Sequence, residues 1–209
     1  MQKKKKYRVF KMISTINQGA NVKKVVDEFN ADDRMGVKLL ENSVHFLIGE
    51  IDQFNIDECI RWIIYENLDK KQDKTLTLYI NSTGGDLYQA FALIDIMNTS
   101  KLAIRTIGIG SIMSAAFLIF ASGTKGERYI SPNTGIMCHQ FSEGTEAKYH
   151  DIKAQMKETE LCNQRMLEIL KYASGLPTAK VKSKLLPPSD MYFTAQEMVD
   201  LGIADHLLM

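Results

Sequence analysis

A serine that follows a glycine-rich turn is the first candidate for chemistry in this sequence. Residues 108–114 (GIGSIMS) leave a predicted strand and enter an almost wholly apolar stretch. Ser114 is therefore expected to carry its hydroxyl on the first turn of a buried helix, beside unpaired backbone N–H groups and the positive end of the helix dipole. A hydroxyl at this place can act as a nucleophile, or it can be an ordinary helix N-cap. Spacing alone leaves both interpretations open.

A second glycine turn, Thr83-Gly84-Gly85, directly follows a predicted strand and precedes a predicted helix. Open α/β sheets bind ligands at the carboxyl ends of their strands, where this turn falls. Gly85 has no side chain, so a ligand oxygen could approach its backbone N–H. Neither turn has the GxxxxGK(S/T) pattern of a nucleotide loop or a complete dinucleotide fingerprint, and the GxSxG nucleophile elbow is absent.

Histidines supply the candidate bases. His139 ends a predicted strand, again at a carboxyl edge, whereas His45 and His206 are predicted to be structural and His150 to be solvated. Cys138 precedes His139, but adjacent strand residues point to opposite faces, so a cysteine–histidine pair is disfavoured. Without a cysteine pair or HExxH, we expect no metal and no cofactor.

A serine–histidine pair also needs a carboxylate that fixes the imidazole tautomer. The residues alone do not choose among the aspartates of the predicted α/β region. Asp190, which lies between Pro188 and an aromatic residue, is a reasonable loop candidate. The full set is Asp86, Asp95, Asp151, Asp190 and Asp205.

These residues are positioned by alternating strands and helices, which predict an α/β fold with a mostly parallel sheet. The predicted strands are 44–49, 76–80, 103–109, 128–130 and 134–138, and the predicted helices are 56–68, 87–97 and 114–120. Glu146 to Tyr172 forms a longer helical pattern that Gly175 and Pro177 end. At 1.5 Å per residue this helix would span about 40 Å. A helix that overhangs a small sheet needs other cover, so it is a candidate oligomer contact, although it could also be an amphipathic surface helix.

Composition excludes several classes of protein. Lys and Arg number 26 against 25 Asp and Glu in 209 residues, which argues against coating of nucleic acid or of an anionic membrane. The three cysteines are an odd number without paired short spacing, which favours a reducing compartment, and we expect a cytoplasmic location. No apolar run is long enough to span a bilayer. The lysine run at residues 3–6 is interpreted as a solvated arm, with a tail for an acidic partner as the alternative.

The first 35 residues are polar and weakly patterned. Val22 to Phe29 could form a short helix, and residues 30–33 (NADD) are interpreted as a turn. We therefore predict a variable arm over residues 1–35 and one domain over residues 36–209, with a long helix at about 146–173.

Several segments of the sequence, taken together, are specific for one family of proteins. They resemble the proteolytic subunits of ATP-dependent Clp proteases, the ClpP family of serine peptidases, in order over about residues 36–208. The segments are 79–85 (YINSTGG), 109–114 (IGSIMS), 123–128 (GTKGER), 132–140 (PNTGIMCHQ), 151–152 (DI), 174–177 (SGLP) and 190–197 (DMYFTAQE).

The resemblance implies a role for each matched residue. Ser114 would be the nucleophile, His139 the general base and Asp190 its orienting carboxylate, and the N–H groups of Gly85 and Ala115 would form the oxyanion hole. It also implies a crotonase-like core of ββα repeats with a protruding handle helix that joins two stacked heptameric rings into a tetradecamer. An AAA+ unfoldase, which binds the ATP, would feed unfolded polypeptides into this chamber for protein quality control.

The sequence departs from the family at several positions. Thr83 and Phe141 replace usual prolines, and Ala115 replaces a usual methionine. Ala115 would act through its backbone, so the oxyanion hole should survive, whereas Phe141 is expected to reshape a substrate pocket. The segment 184–189 is slightly longer than usual, and the usual N-terminal motif that builds the axial pore is missing. The alternative functions are a catalytically silent ring subunit and a crotonase-fold acyl-CoA hydratase or isomerase.

Overall fold

Strands and helices alternate along the chain, and the predicted α/β class is confirmed. The computed structural model describes residues 31–68, 74–142, 144, 146 and 148–208. The strands are β1 (Val44–Ile48), β2 (Leu76–Ser82), β3 (Ile104–Met113), β4 (Arg128–Ile130), β5 (Gly135–Cys138), β6 (Met191–Phe193) and β7 (His206–Leu207). The helices are α1 (Ala31–Glu41), α2 (Gln53–Leu68), α3 (Leu87–Thr99), α4 (Ala115–Ala121), α5 (Tyr149–Ser174), α6 (Thr178–Lys184) and α7 (Ala195–Asp200). The predicted helix at 22–29 lies outside the described residues.

The chain divides into two units, one ending at Val44 and the other beginning at His45. In the first, α1 buries none of its residues. The predicted turn at 30–33 is wrong over Ala31, Asp32 and Asp33, which open this helix. Both aspartates lie in the first turn, where the helix dipole favours negative charge.

The sheet of the second unit is built around β3. Its strands run in the order β1-β2-β3-β4-β7, and β5 joins β3 on one side and β6 on the other. The first half of β3 pairs in parallel with β4 (Thr106 to Gly108), and the second half pairs in parallel with β5 (Ser111 to Met113). β6 runs antiparallel to β5. One long strand thus serves two neighbours, one after the other.

A local irregularity lets β3 change partner. The register between β2 and β3 shifts between Ile80 and Ser82, and Gly110 has φ 62°. The side chain of Asn81 accepts a hydrogen bond from Ser111 N–H at 3.0 Å, and a Cβ at Gly110 would lie 2.5 Å from the same amide oxygen. Only glycine fits here, and the irregularity redirects the end of β3 towards β5.

The core lies around α4, which is buried along its whole length, with no residue more than 2% exposed. The long helix α5 behaves differently along its 26 residues. Its buried residues, from Cys162 to Ala173, all lie in the second half, and it ends at Gly175 in the left-handed conformation, as predicted. In the first half Tyr149 and Met156 are exposed, with the Lys153 ammonium lying over the Tyr149 ring. Among the described residues, no helix is long and apolar enough to cross a membrane.

A buried ion pair closes the far edge of the sheet. The Arg128 side chain is 1% exposed, and its Nε and NH2 donate to the Asp205 carboxylate at 2.8 and 2.7 Å. Its NH1 donates to the carbonyl of Ala173 at 3.0 Å. Asp205 also accepts from the backbone N–H groups of Gly126 and Arg128. Burial of Asp205 opposes its ionisation, but these hydrogen bonds and the charge of Arg128 outweigh burial and lower its pKa.

Replacing Asp205 by asparagine is expected to lower the free energy of unfolding at pH 7 by about 3 to 5 kcal/mol, because it leaves the buried guanidinium unpaired. The depressed pKa of Asp205 stabilises the fold above the unfolded carboxyl's pKa of about 3.9, and this contribution is lost as the pH falls through the lower folded value. Denaturant titrations from pH 7 to pH 2 should therefore show the two proteins converging in acid. Asp57→Asn, which breaks the exposed pair with Arg61, is the matched control and should cost at most about 1 kcal/mol. A difference that is independent of pH would contradict the assignment.

Candidate active site

The side chains of Ser114 and His139 meet at the ends of two parallel strands. Ser114 directly follows β3 and His139 directly follows β5, and the last register pair of these strands joins Met113 to Met137. Ser114 N–H donates to the carbonyl of Met137 at 2.9 Å. Parallel neighbours end on the same side of a sheet, so the two side chains emerge together, and Ser114 Oγ lies 2.7 Å from His139 Nε2. A hydroxyl in hydrogen-bond contact with an imidazole is the geometry of an activated nucleophile.

The backbone at Ser114 turns sharply between β3 and α4. Its φ and ψ are 54° and −124°, which is rare for a residue with a side chain. Ser114 occupies the N-cap position of α4, yet its side chain forms no capping hydrogen bond. Its hydroxyl is directed to His139 instead, so Ser114 is not an ordinary helix cap.

The Thr83-Gly84-Gly85 turn packs against Ser114. A Cβ at Gly84 would lie 2.7 Å from Ser114 Cβ and 3.2 Å from the backbone nitrogen of Ala115, and Gly84 has φ 102°. A Cβ at Gly85 would lie 2.4 Å from the carbonyl oxygen of Ile51, whose N–H donates to Gly84. Both positions therefore require glycine, and the turn presents bare backbone to the serine.

A cavity of about 270 Å³ opens at this junction. Polar and apolar surface contribute about equally to its walls, and the Ser114 hydroxyl and the His139 imidazole both reach it. Met166 of α5 is 4% exposed and joins the second half of the long helix to the site. The lining residues are Gly85, Leu87, Ser114, Ala115, His139, Phe141, Ser142 and Met166. The cavity is large enough to hold a side chain next to the hydroxyl.

The candidate carboxylates differ in their hydrogen-bond partners and in their position relative to His139. Asp205 is bound to Arg128, and Asp86 caps α3 by accepting from Tyr88 N–H at 2.8 Å. Asp190 directly precedes β6, whose residue Met191 pairs with Cys138. One more step in this antiparallel register sets Asp190 opposite His139. The Asp190 side chain is exposed, however, and within the described ranges it forms no hydrogen bond with His139.

The remaining histidines and Cys138 lie outside the site. His45 stacks on Trp62, and burial lowers its pKa. The His206 ring packs at a tilt against Tyr129, and His150 is exposed. Burial raises the pKa of Cys138 to about 12, so its thiol is not a nucleophile near neutral pH. In the part of the chain that the structure describes, no three metal-ligating side chains cluster.

Sequence reasoning selected Gly85 and missed Gly84, the position where a side chain would collide with the serine itself. A glycine pair between a strand and a helix was the available signal. It also missed Leu87 and Met166 as cavity residues, since both belong to apolar helix faces that resemble ordinary core.

A comparison with protein-family models gives one match that covers most of the chain. The Clp protease family model matches residues 27–209. The chain belongs to the Clp protease family. The resemblance and the ClpP-type α/β fold that it implies are confirmed, and the match begins before the predicted boundary at residue 36. Membership in the Clp protease family indicates a peptidase, a hydrolase that in general forms rings and works with a Clp ATPase.

Proposed function

We propose that this Clp protease family member is a serine endopeptidase with Ser114 as nucleophile and His139 as general base. The observation that carries the proposal is the contact of 2.7 Å between Ser114 Oγ and His139 Nε2 at the cavity. His139 takes the Ser114 proton as Oγ attacks a peptide carbonyl, then gives it to the leaving amine when the C–N bond breaks. Water, activated by the same imidazole, hydrolyses the acyl-enzyme and restores Ser114.

The backbone N–H groups of Gly85 and Ala115 are proposed to hold the oxyanion of the tetrahedral intermediates. Both residues line the cavity with Ser114. Ala115 is the first residue of α4, and the first N–H groups of a helix have no partner within it. Two donors aimed at the developing negative charge stabilise the transition state more than the ground state.

Asp190 is proposed as the carboxylate that orients His139. The register of β5 with β6 supports this role, because residues directly opposite on antiparallel strands have Cβ atoms about 4.5 to 5.5 Å apart. A rotation of the Asp190 side chain would then bring an oxygen to the imidazole Nδ1–H without movement of the strands.

We further propose the assembly that the resemblance implies. The domain of residues 36–209 would build stacked heptameric rings, with the exposed first half of α5 as handle and residues 1–35 as a variable arm. Exposed Tyr149 and Met156 on that half support a contact with a second copy. An AAA+ unfoldase in the cytoplasm would supply unfolded polypeptides, and the cavity would accept a side chain beside the cleaved bond.

A fluorophosphonate probe tests the proposed nucleophile. Intact-mass measurement should show one adduct per chain, and peptide mapping should place it on Ser114. The Ser114→Ala variant should stay unmodified, while Ser111→Ala, three residues upstream in β3, should be labelled like the wild type. Native mass of the same samples should show a multiple of the 23.7 kDa chain for all three proteins.

Failure of the wild type to react would favour the catalytically silent ring subunit, since its assembly would persist without a reactive serine. Labelling at another residue would reject Ser114 as nucleophile. A monomer in native mass would reject the ring proposal while leaving the chemistry intact.

A further inference from the structure

The backbone that follows His139 is held by side chains from other elements. Gln140 Nε2 donates to the carbonyl of Leu186 at 2.9 Å, and Phe141 N–H donates to Asn163 Oδ1, also at 2.9 Å. These two hydrogen bonds anchor the segment directly after the proposed base and directly before the cavity residue Ser142. The position of the imidazole therefore depends on anchors on both of its sides, β5 before it and these two contacts after it.

The Asn163 amide is itself fixed. Its Nδ2 donates to the carbonyl of Thr159, one turn earlier in α5, at 3.0 Å. With the amide nitrogen used within the helix, Oδ1 is the atom turned towards Phe141. The neighbouring Cys162 and Met166 are buried, so the helix face that carries Asn163 cannot drift from the site.

Phe141 has a backbone N–H that requires a hydrogen-bond acceptor. A proline at this position has no N–H, whereas phenylalanine brings one into a half-buried environment. A backbone N–H that is removed from water without an acceptor is unfavourable, and the strand would shift to find one. Asn163 supplies that acceptor, and Phe141 keeps its place in the cavity wall.

We infer that Asn163 is a positioning residue of the peptidase reaction: through Phe141 N–H it fixes the segment that aims His139 at Ser114. The inference rests on the proposed function. Asn163 does not line the cavity and touches neither reacting side chain, so its effect passes through the backbone.

The rate constant of fluorophosphonate labelling at Ser114, measured from pH 5 to pH 9, tests this role. Asn163→Leu should react about tenfold more slowly at every pH. The Phe141 N–H loses its acceptor in this variant, and the segment that positions His139 shifts to find another. The final stoichiometry should stay at one label per chain, which loss of folded protein would lower. Asn163→Asp keeps an oxygen for Phe141 N–H and should stay within about threefold of the wild type.

Two further variants sharpen the test. Gln164→Leu changes the next residue, whose amide donates to Glu168 in the same helix, and should react like the wild type. In a Phe141→Pro background there is no N–H to satisfy, so Asn163→Leu should have no further effect. With an ester substrate, kcat should fall in Asn163→Leu while KM stays constant.

Three outcomes would overturn the inference: a wild-type rate in Asn163→Leu, an Asn163→Asp variant as slow as the leucine variant, or an equal effect of Asn163→Leu in the proline background. Failure of the proposed function looks different, since the wild type itself would then carry no label on Ser114.

Discussion

Replacing Ser114 by alanine is expected to lower kcat for peptide hydrolysis by about 10⁴- to 10⁶-fold, because the variant lacks the hydroxyl that would form the acyl-enzyme with help from His139. His139→Ala should cost a similar factor, since an unassisted hydroxyl is a weak nucleophile. The double variant should be no slower than either single one, as the two side chains, 2.7 Å apart, act as a unit. The measurement is steady-state hydrolysis of a fluorogenic peptide.

Native mass and the melting temperature show whether the loss of activity comes from the missing hydroxyl or from a change in assembly or stability. Both should match the wild type in Ser114→Ala, because the hydroxyl caps nothing in α4. Activity close to wild type in this variant would reject the serine mechanism. Additive losses in the double variant would instead mean that Ser114 and His139 serve separate steps.

Gly84→Ala is expected to lower kcat by about 10²-fold or more without removing any reactive group. The new Cβ would lie 2.7 Å from Ser114 Cβ and 3.2 Å from Ala115 N, so the nucleophile and one proposed oxyanion donor must move. Displacements of about 1 Å at a reacting centre cost this much. The check is the rate of peptide hydrolysis beside the rate of fluorophosphonate labelling, both of which should fall.

Gly126→Ala is the matched control for backbone strain. Gly126 has φ 89°, close to the 102° of Gly84, but a Cβ there would meet nothing within 4 Å. Both variants should lose stability in denaturant, since alanine resists positive φ at either site, and Gly84→Ala should lose more because its Cβ also meets Ser114. Only Gly84→Ala should lose activity; equal losses in both would show that strain alone, and not contact with Ser114, is responsible.

The sequence was sufficient to predict the α/β class and to single out Ser114 and His139. Each follows an apolar run that ends at the carboxyl edge of a sheet, and that signal is local. Their contact is not local: it depends on β3 leaving β4 and pairing with β5 after Gly110. No periodicity specifies such a change of partner, and the Asn81 side chain that fixes it lies in a third strand.

The choice of carboxylate also depends on contacts between residues that are far apart in sequence. The choice between Asp190 and Asp205 could not be made from neighbours in sequence, because Arg128, which binds Asp205, lies 77 positions earlier. α1 was missed for the opposite reason: it buries no residue, so it lacks the apolar stripe by which a helix is predicted. Asn163 gave no signal either, since its partner Phe141 is known only from the fold.

The backbone of Ser114 carries a consequence for how this chain can evolve. A non-glycine residue at φ 54° and ψ −124° costs on the order of 1 to 3 kcal/mol, which the buried helix behind it must offset. Glycine would relieve that cost at once but would remove the hydroxyl. Selection for thermal stability alone would therefore favour glycine at position 114, whereas selection for hydrolysis retains serine. Stability and hydrolysis therefore favour different residues at position 114.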